Sequence, residues 1–220
     1  MEPAPDDKAL LRRRLLGIGL GGAAVSLLPF LSGRASATTP PTTTPTTTSD
    51  ATAATTTTAP PLRPTDGDVP LLGFAQSVEL AARQLYDVAL GTNGLFDDTQ
   101  RAVIAAIRES HSAYVAALSG LLGRLAPQTA DSAVVDDLKS SFSGKLADVL
   151  QAAYGLESIA VATHTDILGQ LQSIDGAALI ASILVVEARH GTVLASMNGS
   201  TKLDDLLVAK EAAALAPAKG

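Results

Sequence analysis

Apolar side chains recur along residues 69–198 at alternating steps of three and four, which is the spacing of one face of an α-helix. The pattern predicts four helices and a shorter amphipathic one, at about 69–91, 97–125, 131–171, 174–198 and 202–214. Asp97 or Asp98 and Asp131 or Ser132 are suitable N-caps for the second and third helices. No stretch alternates apolar and polar residues as a half-buried strand does. We therefore predict an all-α fold, an antiparallel up-down four-helix bundle with short loops and a short extra C-terminal helix.

The first 37 residues have the features of an export signal. Lys8 and Arg12–Arg14 form a basic start, Leu15–Leu31 follows as an apolar run, and Ala35–Ala37 supplies the small residues that a signal peptidase needs. The run of 17 residues is at the lower limit for a membrane-spanning helix, so an uncleaved anchor stays open as the alternative. The segment around Arg12–Arg14 resembles a twin-arginine signal, which implies export of the folded protein by the twin-arginine translocase.

Composition divides the rest of the chain into three parts. Residues 38–66 are rich in Thr and Pro without an apolar period, which predicts a disordered linker. The bundle follows at 67–200, and a C-terminal helix and tail at 201–220.

The first 37 residues carry five basic and three acidic side chains, so the chain total of −6 leaves −8 on the remainder. This acidity argues against nucleic acid as a partner. The absence of cysteine excludes disulfides, thiolate metal sites and a lipid anchor on cysteine.

Five ionisable residues occupy inward-facing positions that are otherwise filled by Leu, Ile or Ala, namely Glu79, His111, Glu157, Glu187 and His190. A buried charge without a partner is very costly, so such side chains are normally paired, hydrogen-bonded or bound to metal. Each lies near the middle of its predicted helix. We therefore expect the five side chains to meet at one depth in the bundle.

Three further side chains lie close to these positions. His164 follows Glu157 by two helical turns, and we expect it to be a helix-face histidine near the end of the bundle rather than a ligand. We expect Tyr86 and Tyr114 to hydrogen-bond carboxylates in the core.

The run Glu187-Ala188-Arg189-His190 is a Glu-x-x-His motif, whose spacing places a carboxylate and an imidazole on one helical face. The segments LLGFAQSVELAARQLYDVAL and ILVVEARHGTVLASMNG resemble the first and last helices of secreted bacterial ferritin-like domains. The resemblance covers about residues 70–198. It implies the ferritin-like bundle and its carboxylate metal site, with ligands at Glu79, Glu157, Glu187 and His190.

The second helix departs from that family pattern. His111 stands where the family has a bridging Glu, and Tyr114 stands where it has a His. The resemblance therefore implies one metal position served by Glu157, Glu187 and His190, and a weakened second position with Glu79, His111 and Tyr114. The expected cofactor is one transition-metal ion, namely iron, manganese or zinc.

Two functions stay open at this point. In the first, the chain is an exported ferritin-like protein that binds one metal ion in its core. In the second, Glu79 and Glu157 pair with His111 and His190 in a metal-free core, and the bundle acts as a non-catalytic envelope protein in binding or scaffolding. Both predict an extracytoplasmic location, and a homodimer is open in either. Neither a reaction nor a substrate follows from the residues.

Overall fold

The computed structural model describes residues 59–207 and 212–217, which contain helices and no strand. The α-helices are α1 Asp68–Gly91, α2 Asp98–Leu122, α3 Ser132–Phe142, α4 Leu146–Gln170, α5 Ile174–Met197 and α6 Leu203–Leu206, with a 3-10 turn at Gly123–Leu125. Four of them are 24 or 25 residues long, and these form the bundle. The predicted all-α bundle is thereby confirmed. The predicted signal, residues 1–37, and most of the predicted linker lie outside the described residues.

Helices α1 and α2 pack side by side, as do α4 and α5, and the two pairs meet through α1 with α4 and α2 with α5. Near the start of α1, Gln76 Nε2 donates to Ser119 Oγ near the end of α2, at 2.6 Å. At the same end, the Asp68 carboxylate accepts a hydrogen bond of 2.8 Å from the Gln172 amide, just after α4. Helices α2 and α4 thus run in the same direction. The up-down order with short loops was wrong here, because residues 123–145 cross back along the bundle.

The third predicted helix, 131–171, is two helices in the structure. Helix α3 ends at Phe142 and α4 begins at Leu146, and between them the amides of Ser143 and Gly144 donate to the carbonyls of Ser140 and Ser141 in tight turns. A Cβ on Gly144 would lie 3.2 Å from the Ser141 carbonyl oxygen, so this turn favours glycine. The break allows α3 to lie across α1 and α4 while α4 enters the bundle.

Side-chain caps fix the starts of two helices, α2 and α3. Asp97 caps α2 in a reciprocal capping box with Gln100, and Asp131 accepts hydrogen bonds from the first amides of α3. Of the predicted tail helix at 202–214, residues 203–206 form α6, and residues 208–211 lie outside the described residues. Residues 212–217 are not helical because Leu215 instead packs against the core, and its amide donates to Thr163 Oγ1 at 3.0 Å.

Residues just before the predicted domain start at 67 bind to the bundle. The carbonyls of Pro61 and Leu62 accept hydrogen bonds of 3.0 Å from the first amides of α5. The buried Asp68 carboxylate accepts from Thr65, Gln172 and Ser173 amides, which joins the start of α1 to the turn between α4 and α5. These bonds set the depth at which α1, α4 and α5 present their inward side chains.

Helix α5 is the most apolar of the long helices. By length and composition alone it could cross a membrane, with a mean hydropathy of 1.5 over its best window. It also carries the buried Glu187 and His190 and packs along α4. Its buried apolar residues, such as Ile180, Ile183 and Leu194, face the core, whereas Ile174 and Val185 are exposed.

Candidate metal centre

Six ionisable side chains from all four long helices meet in the bundle core: Glu79, His111, Glu157, His164, Glu187 and His190. Five of them are fully buried, and His190 is 8 % exposed. The chain has three histidines, so every one of them is in this cluster. The five residues that the sequence analysis singled out are all present. The sixth, His164, was not expected.

His111 on α2 bridges two carboxylates. Its Nδ1 lies 2.6 Å from Glu79 Oε2, and its Nε2 lies 3.1 Å from Glu157 Oε1. Burial acts to lower the pKa of His111, but the charges of Glu157 and Glu79 outweigh it and hold that pKa well above its ordinary value. The pKa of Glu79 is lowered because His111 overcomes the opposing effect of burial.

Glu157 on α4 is the most fully partnered carboxylate. Besides His111, its oxygens accept a hydrogen bond of 2.5 Å from the Tyr86 hydroxyl and face His190 Nδ1 at 3.3 Å. Burial alone would raise the pKa of Glu157, but His111 and His190 bring it far below its ordinary value. Burial and Glu157 together raise the pKa of Tyr86, which therefore stays a hydrogen-bond donor. Glu157 is thus a firmly ionised carboxylate.

Glu187 on α5 has a different environment. Its Oε2 lies 2.8 Å from His164 Nδ1, and the other nitrogen of that ring lies 3.6 Å from Glu79 Oε1. Burial raises the pKa of Glu187 to about 8, helped by the Glu79 charge and opposed by His164. Burial would lower the pKa of His164, but Glu187 and Glu79 raise it to about 9. A proton is therefore retained among these three groups at neutral pH.

The hydrogen bonds are unevenly distributed over the cluster. Glu157 has both oxygens bonded, whereas Glu79 Oε1, Glu187 Oε1 and His164 Nε2 are buried without a hydrogen-bond partner among the described residues. Buried polar atoms in folded proteins normally have a hydrogen-bond partner, so these three atoms are exceptions. All three belong to Glu79, His164 and Glu187, and we call these residues the Glu187 trio.

Two sets of donor atoms within the described part of the chain are close enough to share a metal ion. One is His111, Glu157 and His190, which we call the Glu157 trio, and the other is Glu79, His111 and Glu187. In each set the donor atoms lie within 4.8 Å of one another. The expected grouping of Glu157 with Glu187 and His190 is not among them. His111 stands where the family has a bridging Glu, and its ring contacts Glu157 directly. Glu187 contacts His164 instead.

The expected position of His164 was wrong. Its ring is fully buried and contacts Glu187, rather than lying on a helix face near the bundle end. The signal was available in the spacing, since seven residues bring His164 to within about 20° of Glu157 around α4. Its depth along the bundle was misjudged. Asp68 at the start of α1 bonds to Gln172 just after α4, and the two helices are antiparallel. Glu79 therefore lies at about the level of residue 161, between Glu157 and His164.

The two tyrosines differ in their contacts. Tyr86 donates to Glu157 as expected, and its ring stacks on His111 with centroids 5.4 Å apart. Tyr114 is buried with its ring edge-on to His111, at 6.0 Å. Among the described residues, no hydrogen bond joins its hydroxyl to a core carboxylate, and burial with the nearby carboxylates raises its pKa. Tyr86 thus belongs to the Glu157 side of the cluster.

The family model of the ferritin-like domain matches residues 67–200. No curated protein and no solved structure matches the chain. The matched residues include all four long helices and the whole cluster, and they are more than half of the chain. The chain therefore belongs to the ferritin-like domain family.

Proposed function

We propose that this ferritin-like protein is exported by the twin-arginine route and binds one divalent transition-metal ion in its core, through His111, Glu157 and His190. The observation that carries the proposal is the Glu157 trio itself. It combines two imidazoles and one ionised carboxylate in a buried site, and its donor atoms lie within 4.8 Å of one another.

The donor spacing fits a common ion. His111 Nε2 and His190 Nδ1 lie 3.1 and 3.3 Å from the two oxygens of Glu157. Neighbouring ligands at about 2.1 Å from one metal ion are about 3 Å apart when they meet at a right angle. The trio is therefore compatible with metal binding with little movement of its donors.

Residues behind the trio support the same role. Glu79 accepts from His111 Nδ1 at 2.6 Å, so an incoming metal ion would displace the proton on Nε2 and bind that nitrogen. Tyr86 donates to Glu157 and so holds that carboxylate in place. His190 is the one member of the cluster with measurable exposure, so we infer that an ion enters past its ring.

His111 also limits the number of ions. A neutral imidazole has one lone pair, and its other nitrogen carries a proton. The Glu157 trio and the set of Glu79, His111 and Glu187 share this ring, so a neutral His111 serves one of them at a time. We assign the ion to the Glu157 trio, because there the short bond to Glu79 is kept.

The donor types bear on the choice of metal. Two imidazoles and one carboxylate favour iron or zinc over manganese, which prefers oxygen ligands. When bound, such an ion supplies a Lewis acid and, as iron, a redox centre inside the bundle. The protein's own residues hold the ion, fix the His111 tautomer and exclude water. No substrate is proposed.

The export route rests on Arg12–Arg14 and the apolar run that follows. Export in the folded state suits a protein that takes up its ion before it leaves the cytoplasm. We expect replacement of Arg12, Arg13 and Arg14 by Lys to keep the chain in the cytoplasm, and Arg63→Lys, in the exported part, to leave export unchanged. Fractionation of cells checks this, and export of the triple variant at the normal level would contradict the route.

A metal-free core is the second candidate, and the direct contacts favour it. His111 contacts Glu79 and Glu157, His190 contacts Glu157, and His164 contacts Glu187, so imidazoles and carboxylates satisfy much of each other's charge. In that case the bundle is an envelope protein that acts by binding or scaffolding.

Metal analysis of protein purified from the extracytoplasmic fraction separates the two candidates. We expect about one equivalent of iron or zinc per chain, and a lower melting temperature after treatment with a chelator, because an ion bound to the folded state adds stability. His190→Gln should lose the metal, whereas the exposed neighbour Arg189→Gln should retain it. Less than about 0.1 equivalent, with no effect of the chelator, would support the metal-free core.

A further inference from the structure

Helix α5 exposes an apolar face on the side away from the core. It packs mainly against α4 and also meets α2 and the short α6. Its four exposed residues are Ile174, Ala178, Val185 and Arg189, and we call them the α5 outer face. They lie within about 60° of one another around the helix. Ile174 is 49 % and Val185 56 % exposed, and only 33 % of the most apolar 18-residue stretch of α5 is buried.

The polar groups along this face are few, and the hydroxyls are bonded within the helix itself. Ser182 Oγ donates to the Leu179 carbonyl at 2.7 Å, and Thr192 Oγ1 donates to the Ala188 carbonyl at 3.1 Å. Arg189 is the single charged residue of the α5 outer face. Among the described residues it has no ion pair and no hydrogen bond. The face is therefore an apolar stripe with one unpaired cation.

Asp175 supplies a charge of the opposite sign at the edge of the same face. It precedes Arg189 by 14 residues, which is about 21 Å along the helix and about 40° around it, so both lie on one flank of the stripe. Its ion pair with Arg63 is long, at 3.7 Å, and the Arg63 side chain is 77 % exposed. The Asp175 carboxylate is therefore open to a second cation.

This arrangement of charges is self-complementary. When two antiparallel helices are related by a twofold axis, the same flank of each helix meets the same flank of the other. Arg189 of each copy then faces Asp175 of the other copy, and Ser182 lies at the axis. Both ion pairs form at once, as an isologous interface requires.

We propose that the α5 outer face docks onto the same face of a second copy of this chain, in an antiparallel pair centred on Ser182. Small residues at Ala178 and Ser182 allow two helices to approach closely, and Val185 then packs near Ala178 of the other copy. A bilayer fits this face less well, because it has none of the aromatic side chains that anchor a helix at a membrane surface. One helix face is a small interface, so the dimer is a reversible one.

Sedimentation velocity of the purified full chain over a series of concentrations tests the apolar part of this contact. We expect a monomer–dimer equilibrium for the wild type. Val185→Glu sets a carboxylate of each copy into the contact without a partner, so we expect association to weaken at least about 100-fold. Ala105→Glu, at an exposed position of α2, is the matched control and should associate as the wild type does.

Charge reversal tests the antiparallel register and does not depend on the folding of the Val185 variant. Arg189→Asp and Asp175→Arg each turn two attractions into repulsions, so we expect either change to weaken association about tenfold. The double variant restores opposite charges across the axis and should regain most of the wild-type association. Loss in both single variants without recovery in the double variant would contradict the proposed pairing.

Two further results would overturn the proposal. One is a wild-type chain that stays monomeric at about 100 μM, or a dimer that Val185→Glu leaves unchanged. The other is binding of a monomeric wild type to phosphatidylglycerol vesicles that Val185→Glu abolishes, since this would assign the face to a lipid surface. The pairing is independent of the ion in the core, so the metal content of Val185→Glu should equal that of the wild type.

Discussion

The Glu157 trio and the Glu187 trio lie side by side in one core and are built from the same two residue types, yet they are organised differently. Glu157 is ionised, accepts from Tyr86 and faces two imidazoles. Glu187 has one imidazole partner and a pKa raised to about 8, and the partnerless buried atoms of the cluster are all on its side. The difference teaches that Glu157 is a carboxylate held ionised by its partners, whereas the Glu187 trio keeps buried polar atoms without partners.

The largest difference should come from neutralising each carboxylate in turn. Glu157→Gln removes a firmly ionised partner of two buried imidazoles, and breaking a buried ion pair in this way costs about 3–5 kcal/mol. Glu187→Gln resembles the protonated form that burial already favours, so we expect a loss below about 1 kcal/mol. Urea unfolding of the metal-free proteins at pH 7 measures both. Equal losses in the two variants would remove the distinction between the trios.

Alkaline pH should weaken the metal-free protein through the Glu187 trio. The ordinary pKa of His164 is 6.5 and its folded-state pKa is about 9, so the stability from its proton is complete below pH 6.5 and is lost as the pH rises through 9. Glu187, raised to about 8, acts in the same direction, because the folded state keeps a proton that the unfolded chain has released. We expect a loss on the order of 3 kcal/mol between pH 6.5 and 9.

Unfolding by urea across that range checks this prediction, and variants locate its source. The groups that face His164 are Glu79, Glu187 and His111. His164→Gln should reduce the pH dependence to the part that Glu187 contributes, whereas His190→Gln, on the other side of the cluster, should leave it unchanged. A wild-type profile that is flat from pH 6.5 to 9 would contradict the charge assigned to His164.

A smaller effect is expected at the tyrosine that supports Glu157. Tyr86→Phe removes a hydrogen bond to a charged buried carboxylate, which is worth about 1.5–3 kcal/mol, and it should also weaken metal binding. Tyr154→Phe is the matched control, since that hydroxyl donates to the exposed Leu207 carbonyl. Its loss should be below about 1 kcal/mol, with metal affinity unchanged. A Tyr86→Phe chain that binds metal as the wild type does would show that Tyr86 serves packing alone.

Much of this arrangement could be predicted from the sequence, because burial follows helical spacing. Glu79, His111, Glu157, Glu187 and His190 interrupt apolar stripes, and a stripe fixes which face of a helix turns inward. The caps at Asp97 and Asp131 were predictable for the same local reason, since side-chain capping depends on residues close in sequence.

The pairing inside the core could not be predicted in this way. Which carboxylate faces which imidazole depends on the relative depth of four helices, and that depth is fixed by distant contacts such as Asp68 with Gln172. The depth of α4 against α1 is set by this contact and not by spacing within α4, so the level of His164 could not be inferred from the helix alone. His164 was missed for this reason.

The central claim is that one ion binds at the Glu157 trio and none at the Glu187 trio. An anomalous difference map from crystals grown with excess Co²⁺ tests it most directly. We predict a single peak about 2.0–2.2 Å from donor atoms of His111, Glu157 and His190. A peak between Glu79 and Glu187, or no peak in the core at saturating Co²⁺, would contradict the account.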